Sequence, residues 1–151
     1  MPVVLETAGR AYAKLEAIDQ DPAMHAMMLL LTCVLHLLTT EFSRATAEAQ
    51  EHYNIRSKIS PDDDARMVRA CTVMARTNIS AGHYDVGLEW LVKVDKLLNG
   101  ALGKDTEFKV TWGLNASRNH YLLGEYDKAD SLLSNAIGQA EKMKSWYVQV
   151  R

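Results

Sequence analysis

A chain of 151 residues is long enough for one domain with a sizeable core, and 48% hydrophobic with 24% charged residues excludes a disordered chain. The formal net charge of -2 leaves no global field to attract nucleic acid or an anionic membrane. Two cysteines, Cys33 and Cys71, form neither a disulfide framework nor a close-spaced zinc pattern.

The amino terminus, Met1 to Glu6, lacks the charged segment and apolar run of a secretory signal, so the chain is expected to be cytoplasmic. Prolines stand only at Pro2, Pro22 and Pro61, which permits long helices elsewhere. A leading helix is predicted over 3–18, where Val4, Leu5, Ala8, Tyr12, Leu15 and Ile18 make an apolar stripe. Asp21-Pro22 starts the next helix, predicted over 23–39. Its apolar run from Ala26 to Leu38 is about 13 residues, short of the roughly 20 needed to span a bilayer, and it contains His36. It reads as buried.

A third helix is predicted over 42–57. Ser60-Pro61-Asp62-Asp63 then supplies a start signal for a helix over 61–81, with Ser60 as cap, Pro61 in the first turn and acids at the positive end of the dipole. That capping role also accounts for the run Asp62-Asp63-Asp64 without a metal. A helix over 84–99 stops at Asn99-Gly100 and Gly103. Asp105 begins another over 105–122, and the last is predicted over 126–144.

These elements repeat. Turns centre on Gly82 and Gly124, 42 residues apart, and an equal step back reaches Thr40. Two residues after each turn stands an aromatic: Phe42, Tyr84 and Tyr126. Five after it stands a small residue: Ala45, Gly87 and Ala129. Seven before it stands another: Cys33, Ala75 and Ser117. Small side chains on facing helices allow close axial approach, near the lower end of the 8–10 Å range. The two cysteines therefore read as buried, inert thiols. His36, Asn78 and His120 share the column four before the turn, where one satisfied hydrogen bond is the expected role.

A small residue in a first helix followed by Gly-X-Tyr-X-X-Ala, as in Gly124 to Ala129, resembles the tetratricopeptide pattern. The middle unit departs from it at Gly87 and the first at Thr40. Leu29, Cys71 and Gly113 stand where the family places a tryptophan, and the unit is longer than the family's roughly 34 residues. The resemblance covers about residues 23–145. It implies an all-α fold, a right-handed stack of antiparallel helix pairs in one domain: a leading helix over 1–22, repeats over 23–60, 61–104 and 105–145, and a tail or start of a further repeat over 146–151.

The family's first helices line a concave groove. Carried onto this chain, the resemblance places Arg69, Thr72, Arg76, Ile79, Leu114, Arg118 and Tyr121 in a partner-binding groove. Arginines there could grip carboxylates bidentately while neighbouring aliphatic and aromatic groups bury apolar side chains, which suits an acidic-hydrophobic peptide or a chain terminus. Met27, Leu30, Val34 and Leu37 form an apolar third, to be covered by the leading helix or used for docking or dimerisation. The family's lysine-asparagine clamp is not reproduced.

No Gly-rich phosphate loop, nucleophile elbow or His-Glu-X-X-His occurs, so no enzyme, cofactor or metal is expected. Interspersed charges such as Lys93, Asp95 and Lys96 fit solvated helix faces, with neither nucleic acid nor membrane as partner. The expected function is a protein–protein interaction scaffold holding a peptide or partner subunit. The alternative is a sensory or regulatory repeat module of a longer signalling or transcription-regulating protein, with a homodimer through an open repeat edge as one form. A non-catalytic enzyme subunit ranks third.

Overall fold

The computed structural model describes residues 21–99 and 106–149, which form an all-α fold with no strand among them. The leading helix and the Asp105 start signal lie outside the described residues. Six helices follow one another: α1 (Pro22–Leu38), α2 (Phe42–Ile59), α3 (Asp64–Ser80), α4 (Tyr84–Leu98), α5 (Thr106–Leu122) and α6 (Tyr126–Gln149).

Helix starts follow local chemistry. Asp21 caps α1, its Oδ1 accepting from the Ala23 N–H at 3.0 Å with Pro22 in the first turn. The α3 cap differs from expectation. Asp63 rather than Ser60 holds that place, accepting from the Arg66 N–H at 3.0 Å. Ser60 instead closes a turn, its carbonyl accepting from the Asp63 N–H at 3.2 Å. Helix α6 runs on to Gln149, past the expected stop at 144, because no glycine or proline interrupts it after Gly138.

The three repeat turns share one backbone design. Thr40, Gly82 and Gly124 have φ of 63°, 86° and 78°. The next residue's N–H (Glu41, His83, Glu125) donates back to His36, Asn78 and His120 at 2.8, 2.9 and 2.9 Å. The turn residue's own N–H donates to Leu37, Ile79 and Tyr121. This paired pattern satisfies the last carbonyls of a helix and requires a left-handed residue, which glycine supplies freely. Threonine does not: its Cβ crowds the following carbonyl at a cost of about 1–2 kcal/mol. Thr40→Gly should therefore raise stability by up to about 1 kcal/mol, after the added freedom of the unfolded chain is subtracted. A higher urea midpoint at unchanged slope is the expected readout, and a lowered midpoint would contradict it.

Each pair is clamped where the small-residue columns meet. Cys33 Sγ donates to the Ala45 carbonyl at 3.3 Å, and Ser117 Oγ donates to the Ala129 carbonyl at 2.8 Å. In the middle pair, a Cβ on Gly87 would fall 2.6 Å from Ile79 Cγ1 and 3.5 Å from the Ala75 carbonyl oxygen. Burial pushes the Cys33 thiol up to about 12 and Cys71 up to about 11, so both stay protonated.

Helix pairs α1–α2, α3–α4 and α5–α6 pack most extensively, followed by α2–α3 and α4–α5. The first helices also touch in series, α1 with α3 and α3 with α5. Among the described residues no such backbone contact joins α2 with α4, α4 with α6, or α1 with α5. Each pair thus meets only its neighbours, as in a helical repeat. The core centres on Val68, Cys71 and Met74 of α3 and on Trp90, Val94 and Leu98 of α4. Two hydrogen bonds seat α5 on α4: Trp112 Nε1–H to the Leu91 carbonyl at 3.1 Å, and Asn119 Nδ2–H to the Tyr84 carbonyl at 3.1 Å.

Candidate partner-binding face

The columns before each turn place Arg69, Thr72 and Arg76 on α3 and Leu114, Arg118 and Tyr121 on α5. Arg69, Arg76 and Arg118 are exposed. None of them forms an ion pair among the described residues. Thr72 is half-buried and its hydroxyl donates back to the Val68 carbonyl at 2.8 Å, so that group is already satisfied.

Ile79 is the correction. It is buried and sits where a Cβ on residue 87 would otherwise be, so it fills the α3–α4 interface and offers nothing to an external partner. In the last repeat Ala129 occupies that column. Tyr121, the counterpart of Ile79, is 62% exposed and lies edge-on to Tyr126 at 5.4 Å between ring centroids.

Of the remaining residues, Met27, Leu30, Arg69, Leu114, Arg118 and Tyr121 line two clefts. One, of about 460 Å³, is lined on α5 by Leu114, Arg118 and Tyr121 and on α6 by Tyr126, Asp130 and Leu133. The other, of about 140 Å³, lies among α1, α2 and α3 and is lined by Met27, Leu30, His52, Arg56, Ala65, Arg66 and Arg69. Thr72 and Arg76 line neither. Met27 is exposed, Leu30, Val34 and Leu37 are half-buried, and Leu37 packs on the core.

Two lining residues of the smaller cleft, His52 and Arg56, come from α2, where the sequence offered no candidate site residue. The signal available is a stripe at helical spacing, Ala45, Ala49, His52 and Arg56, all buried, in which polar residues hold the last two apolar positions. His52 Nδ1–H donates to the Ala26 carbonyl at 2.6 Å, and burial lowers its pKa, so it is neutral near pH 7. Burial, then the like charge of Arg66, lowers the pKa of Arg56 from the usual arginine range.

The column four before the turn is satisfied locally. His36 Nδ1 lies 2.7 Å from Glu48 Oε2, His120 Nδ1 lies 2.5 Å from Glu125 Oε2, and Asn78 Nδ2–H donates to the Met74 carbonyl at 2.8 Å. The His120 hydrogen bond, followed by that from Lys128, holds Glu125 below the usual glutamate range. Among the described residues no cluster of three metal-ligating side chains forms, and no helix is long and apolar enough to cross a membrane. No protein-family model matches this chain, and no curated protein matches it.

Proposed function

We propose that the chain is a tetratricopeptide-like, right-handed helical scaffold, a binding protein rather than an enzyme, which holds a peptide or partner segment along its first helices. One observation carries this reading. The two clefts, one among α1, α2 and α3 and one between α5 and α6, each combine an apolar wall with an arginine that forms no ion pair among the described residues: Met27 and Leu30 with Arg69, and Leu114 and Tyr121 with Arg118, where Asp130 also lines the cleft without pairing to it.

Curvature supports the same face. Helix α3 touches both α1 and α5, whereas α4 touches neither α2 nor α6, which supports a more tightly spaced first-helix layer on the inside of a bend. A concave layer gathers contacts from an extended ligand better than a convex one does. Apolar anchors supply affinity, and the arginines select acidic groups and fix their orientation.

The test is the double substitution Arg76→Ala with Arg118→Ala against an array of acidic–apolar peptides. Loss of charge-assisted hydrogen bonds worth about 1.5–3 kcal/mol each should weaken binding by roughly tenfold or more. Far-UV circular dichroism should not change. Arg44→Ala, which removes an arginine already paired with Glu41 at 2.8 Å, serves as the control. Equal affinity of the double variant and the parent would remove these arginines from the binding face.

A further inference from the structure

Arg56 is only 7% exposed, yet among the described residues no carboxylate meets its guanidinium. Its hydrogen bond, from Nη2 to the Ala23 carbonyl, is long at 3.4 Å. Four charged groups act on it: Arg66 and Arg69, against Asp63 and Asp21. Asp63 is engaged by Arg66 Nε at 3.2 Å, and Asp21 by the Ala23 N–H. Counting Arg56 itself, three positive charges face two negative ones among the described residues, which leaves one positive charge unbalanced there. A buried guanidinium is costly unless paired, and arginines that crowd one another raise that cost.

The cleft beside it has the complementary shape. Arg56, Arg66 and Arg69 line it with His52, and Met27 and Leu30 supply apolar wall. Among the described residues no acidic side chain lines it, and the neutral His52 ring adds no charge. Arg66 is already held by Asp63, so among the described residues the donors not engaged by a carboxylate are on Arg56 and Arg69. With about 140 Å³, the space admits a carboxyl group and adjoining methylenes rather than a large cofactor.

We infer that this cleft is a carboxylate-binding site, in which Arg56 and Arg69 grip one monoanionic carboxylate while Met27 and Leu30 pack against the carbons that carry it. The carrier, an acidic side chain or chain terminus of a peptide on the first-helix face, rests on the function proposed above; the site itself does not. A monoanion matches the single unbalanced charge. A phosphate dianion would face Asp63 and Asp21 with a charge in excess.

The probe is N-acetyl-leucine, an apolar monocarboxylate, with its neutral amide and inorganic phosphate as comparisons at constant ionic strength. The full chain is titrated while the side-chain Nε–H resonances of its arginines are followed by NMR. Saturable shifts confined to Arg56 and Arg69 are expected, with none from the amide and weaker binding of phosphate. Arg56→Met should lower affinity for N-acetyl-leucine at least tenfold and Arg44→Met should leave it unchanged. Because Arg56 is buried, Arg69→Gln, an exposed substitution, gives a second reading, with several-fold weaker binding expected. Shifts that never saturate, an equal response to the amide, or tighter binding of phosphate would overturn the assignment. If the probe fails while Arg76→Ala with Arg118→Ala still weakens peptide binding, only the carboxylate site is lost; the reverse result leaves the site and removes Arg76 and Arg118 from the binding face.

Discussion

Alanine at Trp90 is expected to destabilise the protein by about 3–5 kcal/mol, the range for deleting a large aromatic from a core. Trp90 is 8% exposed, its ring stands edge-on to Tyr53 at 4.8 Å, and the Lys93 ammonium lies 3.8 Å from the ring centroid. Its position matters more than its area. The backbones of α2 and α4 do not approach each other, so Tyr53 and Trp90 bridge the second-helix layer by side chains. Truncation leaves a void that two rigid helices cannot close. Urea unfolding followed by circular dichroism measures the loss, and combining Trp90→Ala with Tyr53→Ala should reveal a coupling of about 0.5–1.5 kcal/mol. Strictly additive effects would mean the rings stabilise the fold independently.

Aspartate at Asn119 tests the other junction. Asn119 has no exposed surface; its Nδ2–H donates to the Tyr84 carbonyl, and its Oδ1 has no partner among the described residues. An aspartate there has no N–H to give, and its ionised form sets a negative charge against a carbonyl oxygen in a fully buried site. The folded protein therefore keeps this carboxyl protonated, with a pKa above the unfolded value of about 3.9. Above that pH the unfolded chain releases a proton that the folded chain retains, so stability falls as pH rises. Asn119→Asp should cost about 3–5 kcal/mol at about pH 7 and recover most of it near pH 4, where a protonated carboxyl can donate to Tyr84. Urea midpoints of parent and variant across that range provide the measurement. A pH-independent difference would contradict a buried, uncompensated charge.

The helices and turns were legible because their determinants are local. Gly82 and Gly124 announce left-handed turns, the paired small residues mark close approach, and Phe42, Tyr84 and Tyr126 each open a second helix, as the spacing predicts. Thr40 was placed by register alone, and its positive φ bears out that register. What depends on a facing helix was not legible. Ile79 and Tyr121 occupy one column, yet only the first is buried, because residue 87 lacks a Cβ and residue 129 has one. His52 and Arg56 look like ordinary polar residues on an amphipathic helix. Only the packing of α2 beneath α1 and α3 turns them inward and makes a cleft.

Helix α3 touches α1, α2, α4 and α5, more neighbours than any other described helix has. In a linear array, loss of order at one end need not propagate to the other. An amide near the middle of α3 reaches solvent only after flanking units on both sides have come away, whereas α1 or α6 can open by itself. Protection from exchange should thus grade inward from the two ends, and the chain melts like a zipper held at its centre.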